Sequence, residues 1–128
     1  MKTNKNKKSG FTLVELMVVA IIVAILAAVA IPLMSGNTQR AIATEGQTGC
    51  STIATAIRMF ALENDASAVS TLDDLPAIED GDLDGEYFDD GSYAISDVSA
   101  DGRSYTITAT VADGNEAGET VIMTVDEG

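Results

Sequence analysis

The chain has 128 residues with no histidine, no tryptophan and a single cysteine, Cys50, so no intrachain disulfide can form. Histidine is the most common general acid–base group in enzymes, and its absence removes the usual catalytic arrangements. The acidic pairs Asp73–Asp74 and Asp89–Asp90 are adjacent in sequence, which does not place two carboxylates around a substrate. We therefore predict no enzymatic activity. On a helix Cys50 would lie beside Ile53 and Ile57, so we expect it to be a small buried apolar residue.

Basic residues are scarce, with seven Lys and Arg against twenty Asp and Glu and a formal net charge of −13. From Glu63 onward, eighteen acidic residues are opposed by Arg103 alone. Such an acidic body repels phosphate backbones, so we expect no direct binding of nucleic acid. Four of the basic residues lie in the first eight positions, which form a basic leader: Lys2, Lys5, Lys7 and Lys8. This asymmetry is typical of a segment inserted with its N-terminus in the cytoplasm.

A long apolar run follows the leader of residues 1–10, and residues 16–34 contain no charged side chain. As a helix at ~1.5 Å per residue, this run spans roughly 36 Å, enough to cross a bilayer core of about 30 Å. We predict a transmembrane helix over residues 11–35. A secretory signal cleaved near Ala30 is the less favoured alternative, because the run exceeds the usual apolar core of ~7–15 residues. Glu15 lies inside the run. Placing a carboxylate at membrane depth raises the free energy of insertion by roughly 2.5–3.5 kcal/mol. Glu15 is therefore either a functional residue or a side chain that snorkels to the membrane surface.

The helical pattern continues after a predicted bend or break at Pro32 and Gly36. Over residues 36–65 we expect an amphipathic continuation of the helix. Gly46 and Gly49 lie on its apolar side, which indicates either close approach of another backbone or local flexibility. The apolar positions recur at spacings of three and four: Ile42, Gly46, Gly49, Ile53, Ile57 and Phe60.

Residues 66–128 are predicted to form an acidic loop and a small antiparallel sheet. The loop covers residues 66–91, and three apolar residues at spacing three hold it to the domain: Leu72, Leu75 and Ile78. Residues 104–111 alternate between polar and apolar side chains, as expected of a strand with one buried face. Asp101–Gly102 and Asp113–Gly114 are turn signals between three strands. The fold class is therefore α+β, with a long N-terminal helix packed on a small antiparallel sheet.

The segment Lys8-Ser-Gly-Phe-Thr-Leu-Val-Glu-Leu16 resembles the leader and cleavage site of bacterial type IV pilins and pseudopilins. The resemblance rests on the basic leader, the Gly–Phe junction, a glutamate five residues into the new chain, the apolar run and Pro32. It covers residues 7 to about 35. The pilin-like layout of a long helix and a sheet is consistent with it over the remaining residues.

The resemblance implies that a prepilin peptidase recognises the leader with Lys7 and Lys8, cuts between Gly10 and Phe11, and leaves an N-methylated Phe11. Glu15 would pair with the Phe11 amine of a neighbouring subunit during assembly. The other implied partners are related pilin subunits, an inner-membrane assembly platform and an assembly ATPase. The precursor would be a single-pass protein of the cytoplasmic membrane with its N-terminus inside. The mature protein would lie in an extracellular pilus or a periplasmic pseudopilus.

The favoured function is a structural subunit of a type IV pilus, and the alternative is a pseudopilin of a type II secretion system. The chain lacks the C-terminal cysteine pair of many pilins. It also lacks the C-terminal calcium motif of the major secretion pseudopilin, which favours a pilus subunit. A signal-anchored periplasmic binding module is an alternative of another class, but the residues after the helix leave little room for a ligand pocket. DNA uptake is disfavoured by the acidic charge.

No cofactor is expected apart from calcium at one acidic segment. Asp80, Asp82 and Asp84 match the first positions of an EF-hand loop, in which alternating carboxylates and a glycine surround Ca²⁺. The match fails at the twelfth position, where Gly91 replaces the bidentate glutamate, although Asp89 or Asp90 could substitute. The alternative, which we favour, is a solvated acidic loop.

Overall fold

The structure is a computed structural model that describes residues 10–112, 114 and 116–127. The helix α1 comprises Leu13–Ala61. The sheet contains the strands β1 (Tyr93–Ser96), β2 (Ser104–Thr110) and β3 (Thr120–Asp126). Three short 3₁₀ turns lie between the helix and β1, at Ala66–Ala68, Leu72–Asp74 and Asp90–Ser92. The predicted α+β class, with a long N-terminal helix and a small antiparallel sheet, is confirmed.

The chain divides into two compact units between Thr38 and Gln39. The described part of the first unit is helical from Leu13, and its side chains are exposed up to residue 37. The helix continues without interruption through Pro32, so the local break that we considered there is wrong. Proline lacks the backbone N–H that donates to the preceding turn, but the loss of this one hydrogen bond does not end a helix whose flanking residues are good helix formers. A bend at Pro32 and Gly36 stays a prediction.

The second unit, which we call the head, comprises residues 39–127 and contains the sheet in the order β1-β2-β3. Both pairings are antiparallel, with Tyr93 opposite Ala109 and Tyr105 opposite Val125. Along β2, buried apolar residues alternate with half-exposed Ser and Thr, as the sequence predicts. The predicted turn at Asp101–Gly102 is present, where the N–H of Gly102 donates to the Ser99 carbonyl at 2.9 Å, and it lies within a connection of residues 97–103 between β1 and β2. The Ser99 hydroxyl supports this connection by accepting hydrogen bonds from the amides of residues 103 and 104.

The core of the head lies between the C-terminal part of α1 and the inner face of the sheet. Cys50 has no exposed surface, as predicted, and burial raises the pKa of its thiol. Leu75 is buried, while Leu72 and Ile78 are partly buried against the core, so the predicted attachment of the loop is confirmed. The largest fully buried side chains are Tyr105, Ile53, Ile57, Leu75, Ile107 and Cys50.

Gly46 and Gly49 lie where side chains of the sheet and loop contact the helix most closely. A Cβ atom on Gly46 would lie 2.8 Å from Cγ2 of Val121 and 3.1 Å from Cζ of Phe88. A Cβ atom on Gly49 would run into the hydroxyl and ring of Tyr93. The close approach indicated by the sequence is therefore present, but it involves side chains and not another backbone. The same burial raises the pKa of Tyr93 to about 12, with smaller contributions from neighbouring charged groups.

Candidate processing and assembly site

The predicted cleavage junction precedes the helix and is exposed. Gly10 and Phe11 lie outside α1, and Phe11 is 84% exposed. A Cβ atom on Gly10 would meet no atom within 4 Å, so the chain itself leaves space around the junction. Lys7 and Lys8 lie outside the described residues. None of the described residues, which begin at Gly10, therefore blocks access to the Gly10–Phe11 bond.

Thr12 and Glu15 form reciprocal hydrogen bonds at the start of α1. The backbone N–H of Thr12 donates to Oε2 of Glu15 at 2.8 Å, and the Thr12 hydroxyl donates to the same oxygen at 3.1 Å. The backbone N–H of Glu15 is 3.2 Å from the Thr12 hydroxyl oxygen, which accepts from it. This arrangement is a capping box, in which two otherwise unpartnered donors are satisfied at a helix start.

The capping role of Glu15 was missed in the sequence analysis, although its signal was present. A Thr followed three residues later by Glu is the spacing of a capping box. The carboxylate of Glu15 is therefore held beside residue 12, one residue beyond the predicted new N-terminus at Phe11. The Glu15 carboxylate, which caps the start of α1 in its own chain, would therefore lie close to the Phe11 amine that cleavage creates.

The apolar half of α1 presents a continuous surface with no protein partner in the described residues. Residues 16–34 contain no charged side chain, and all of them are exposed. By length and composition the helix can cross a membrane. In water, this many exposed apolar side chains would be unfavourable at roughly 25 cal/mol per Å², so the surface requires a bilayer or neighbouring helices. Its largest members include Leu13, Leu16, Ile21, Ile25, Leu26, Ile31 and Leu33.

The structure does not gather the three predicted calcium ligands into one site. Oδ2 of Asp82 accepts from the amide of Glu79 at 2.9 Å, and Oδ1 of Asp84 accepts from the amide of Asp90 at 3.3 Å. Asp90 itself accepts from the amides of residues 81 and 83. Among the described residues, no group of three acidic or cysteine side chains could hold a metal ion. Calcium binding by Asp80, Asp82 and Asp84 stays a prediction.

Glu45 connects the acidic loop to the helix, a role that was also missed in the sequence analysis. Its Oε1 accepts hydrogen bonds from the amide of Tyr87 at 2.9 Å and from the amide of Phe88 at 3.0 Å. A side chain at Gly85 would collide with the Glu45 carboxylate, so the loop passes directly over it. The spacing of the apolar residues predicts Glu45 on the polar side of the helix. Nothing in the sequence indicates that its partners are the amides of residues 87 and 88, which lie 42 and 43 residues further along the chain.

An open groove of about 740 Å³ lies between the loop and β1. Leu72, Ile78 and Tyr93 contribute apolar surface to it. Four carboxylates also line it: Asp73, Glu79, Asp80 and Asp90. The hydroxyl side chains of Ser70 and Thr71 complete its polar lining.

The N-terminal segment matches the family described as the prokaryotic N-terminal methylation motif over residues 5–31. Type II secretion system core protein G of Pseudomonas aeruginosa is 39% identical over 60 residues, which is 47% of this chain and 42% of that relative. Both similarities support a relationship to the type IV pilins and pseudopilins. No solved structure matches it significantly.

The matched motif includes the Gly10–Phe11 junction, the capping pair Thr12–Glu15 and most of the exposed apolar helix. The chain spans less than half of the length of the secretion relative that it matches. The motif does not extend to the head, with its acidic loop and sheet.

Proposed function

We propose that this protein is a structural subunit of a type IV pilus. A prepilin peptidase cuts between Gly10 and Phe11 on the cytoplasmic side, and the new N-terminus is methylated. The mature chain then assembles through α1 into a helical filament, and it has no catalytic role. The observation that carries the proposal is the exposed, uncharged helix of residues 16–34, preceded by one capped carboxylate within the matched motif.

The apolar helix supports assembly because a bilayer and a bundle of neighbouring helices are both apolar surroundings. Moving the helix from one to the other leaves its side chains out of water, so the transfer exposes little apolar surface. The head would face outward. Contacts between different surfaces of successive subunits do not close into a ring, and they generate a filament. An assembly platform and an ATPase of the cytoplasmic membrane would drive the transfer.

Glu15 supports assembly because its charge is costly inside an apolar medium. In the precursor, the amide and hydroxyl of Thr12 satisfy part of its hydrogen-bonding capacity. A cationic Phe11 amine from a neighbouring subunit would also neutralise its charge, which a capping bond does not. Glu15 would thereby align each new subunit with the one before it.

Substitutions at Glu15 separate its capping role from its charge. Glu15→Gln keeps an oxygen that accepts from Thr12 but removes the charge, whereas Glu15→Ala removes both. We expect both variants to lose their leader normally and to yield few filaments, measured by mass spectrometry and by the protein recovered in sheared filament fractions. The neighbouring Val14→Ala is the matched control and should assemble. Wild-type filament yield from Glu15→Gln would refute the assembly role of the charge.

A pseudopilin of a type II secretion system is the second candidate, supported by the similarity to core protein G. It uses the same processing and assembly steps in a periplasmic filament. Shearing distinguishes the two candidates, because abundant protein in sheared surface filaments indicates a pilus subunit. Loss of protein secretion without loss of surface filaments, after deletion of the gene, would indicate the pseudopilin. A chain that retains its leader and stays monomeric in the membrane would favour a membrane-anchored binding module.

A further inference from the structure

The chain contains three basic residues after the predicted cleavage junction, and two of them have partners within the head. The guanidinium of Arg58 lies 6.0 Å from the centroid of the Tyr105 ring, close enough for a cation–π contact. Arg103 lies 3.8 Å from the carboxylate of Asp101. The third, Arg40, is exposed on α1 and forms no ion pair with any residue that the structure describes. Of the three, Arg40 is therefore the cation whose charge is available to another molecule.

Glu45, five residues further along α1, has a carboxylate that is held in place through one oxygen. Its Oε1 accepts hydrogen bonds from the amides of Tyr87 and Phe88, and the loop at Gly85 passes directly over the same oxygen. The second oxygen, Oε2, accepts no hydrogen bond from the described part of the chain. Because the side chain is already ordered, a cation that binds Oε2 would restrict little further freedom.

Arg40 and Glu45 lie on nearly opposite sides of α1. At about 3.6 residues per turn, a step of five residues turns through roughly 140°. The two side chains therefore do not meet within one chain. Where two copies of α1 lie side by side and parallel, the Arg40 side of one copy can face the Glu45 side of the next. Such a contact joins different surfaces of the two copies, so it repeats along a filament without closing.

The contact proposed at the start of α1 sets how far neighbouring copies are displaced along the filament. Phe11 precedes Glu15 by four residues, which is about 6 Å of helix. In a filament of identical copies, all residues of one copy are displaced by the same axial distance from their counterparts in the next. The displacement that brings the Phe11 amine of one copy to Glu15 of its neighbour therefore brings Arg40 close to the level of residue 44 of that neighbour. Glu45 is one residue further, about 1.5 Å, which a flexible arginine side chain can span.

We propose that Arg40 of one copy pairs with Oε2 of Glu45 of a neighbouring copy, as a second charged contact in filament assembly. This inference rests on the proposed function, because it takes its axial displacement from the Phe11–Glu15 pair. Arg40 is the first charged residue after the uncharged run, so the contact lies just beyond the apolar part of α1. Since Glu45 is half-buried, salt screens the pair less than it would screen two exposed side chains.

Charge reversal and its rescue test the pair in cells that assemble filaments from the full chain. Arg40→Glu sets a second carboxylate against Glu45 of the neighbour. We expect the protein in sheared filament fractions to fall on the order of tenfold, the scale of one charged hydrogen-bonded contact. Adding Glu45→Gln removes the repulsion, while its amide oxygen still accepts from the two loop amides, so the double variant should recover part of the yield. Arg103→Glu makes the same change of charge on the head and is the matched control, with wild-type yield expected.

Cross-linking locates the contact independently of the yield. Filaments of a variant with both Arg40→Cys and Glu45→Cys, treated with a short bismaleimide, should give a ladder of dimers, trimers and longer products. Each single variant should give little product, because the contact joins unlike positions. Cys50 is buried, so the wild-type chain should give none. Thermal unfolding of each variant checks that the head is folded.

The outcomes separate this inference from the proposed function. Wild-type filament yield from Arg40→Glu would overturn the pair. A loss of yield that Glu45→Gln does not relieve, without a cross-linked ladder, would also overturn it and would assign Arg40 to another anion, such as a lipid phosphate. A wild-type chain that keeps its leader or forms no filaments would refute the proposed function, and this inference with it.

Discussion

Replacing Gly49 by alanine tests the packing of the head, because helix propensity and packing have opposite effects there. In an open helix position, Gly→Ala stabilises by roughly 1 kcal/mol. At Gly49 the new methyl group would run into the hydroxyl and ring of Tyr93. That ring is 9% exposed, and its centroid is 5.8 Å from that of Phe88, so it has little room to move.

The magnitude follows from the two opposing terms. Overpacking of a tight core costs typically about 1–3 kcal/mol, and the clash with a confined ring places Gly49→Ala at the upper end. Subtracting the propensity gain leaves a net loss of about 1–2 kcal/mol. For a unit of this size, each kcal/mol lowers Tm by about 4–8 °C. The assay is thermal unfolding of the full chain in detergent, followed by near-ultraviolet circular dichroism of the tyrosines.

Two controls distinguish the clash from a general effect of alanine. Gly36 lies on the same helix, but a Cβ there meets no atom within 4 Å, so Gly36→Ala should leave the unfolding of the head unchanged. Tyr93→Phe removes the atom that lies closest to the new methyl group. The double variant should therefore recover part of the loss, as a double-mutant cycle would reveal. Gly49→Ala with wild-type or higher Tm would refute the packing argument.

Three further predictions concern the acidic head. Glu45→Ala leaves two loop amides without their acceptor, so it should cost about 1–3 kcal/mol and speed hydrogen exchange at residues 87 and 88, with Glu45→Gln as the milder control. Hydrogen bonds lower the pKa values of Asp65, Asp74 and Asp101 below 3.8, first from Ser67, Ser70 and Ser99 respectively. Stability from these groups is therefore fully present above pH 3.8, and unfolding midpoints measured below it should fall as each carboxylate is protonated. If Asp80, Asp82 and Asp84 bind calcium, it should raise Tm and a chelator should reverse the rise; no change would exclude the site.

The features predicted correctly are those that repeat at short spacing. The three-and-four spacing identified the buried side of α1, and the alternation in β2 identified the inner face of the sheet, because each period fixes which side chains share a face. Glu15 was recognised because a lone carboxylate interrupts an apolar run. Its bonds to Thr12 are equally local and could have been found from the Thr-x-x-Glu spacing.

The features that were missed depend on the tertiary arrangement. Glu45 looks like any polar residue on a helix surface, and only the folded loop brings the amides of residues 87 and 88 to it. The neighbours of Gly49 could not be inferred either, since a glycine on an apolar stripe does not show what fills the space above it. The length of the connection of residues 97–103 could not be inferred, because Asp–Gly suits a two-residue turn and also a wider loop. Its serine-to-amide bonds stabilise the wider form.

In the proposed function, the first ten residues are removed and the exposed helix then assembles with Phe11 at its start. The most direct test is intact-mass and N-terminal peptide mass spectrometry of the protein purified from its native envelope and filaments. We expect a mature chain that begins at Phe11 and carries one added methyl group. A chain that retains the leader, or one cut near Ala30, would contradict it.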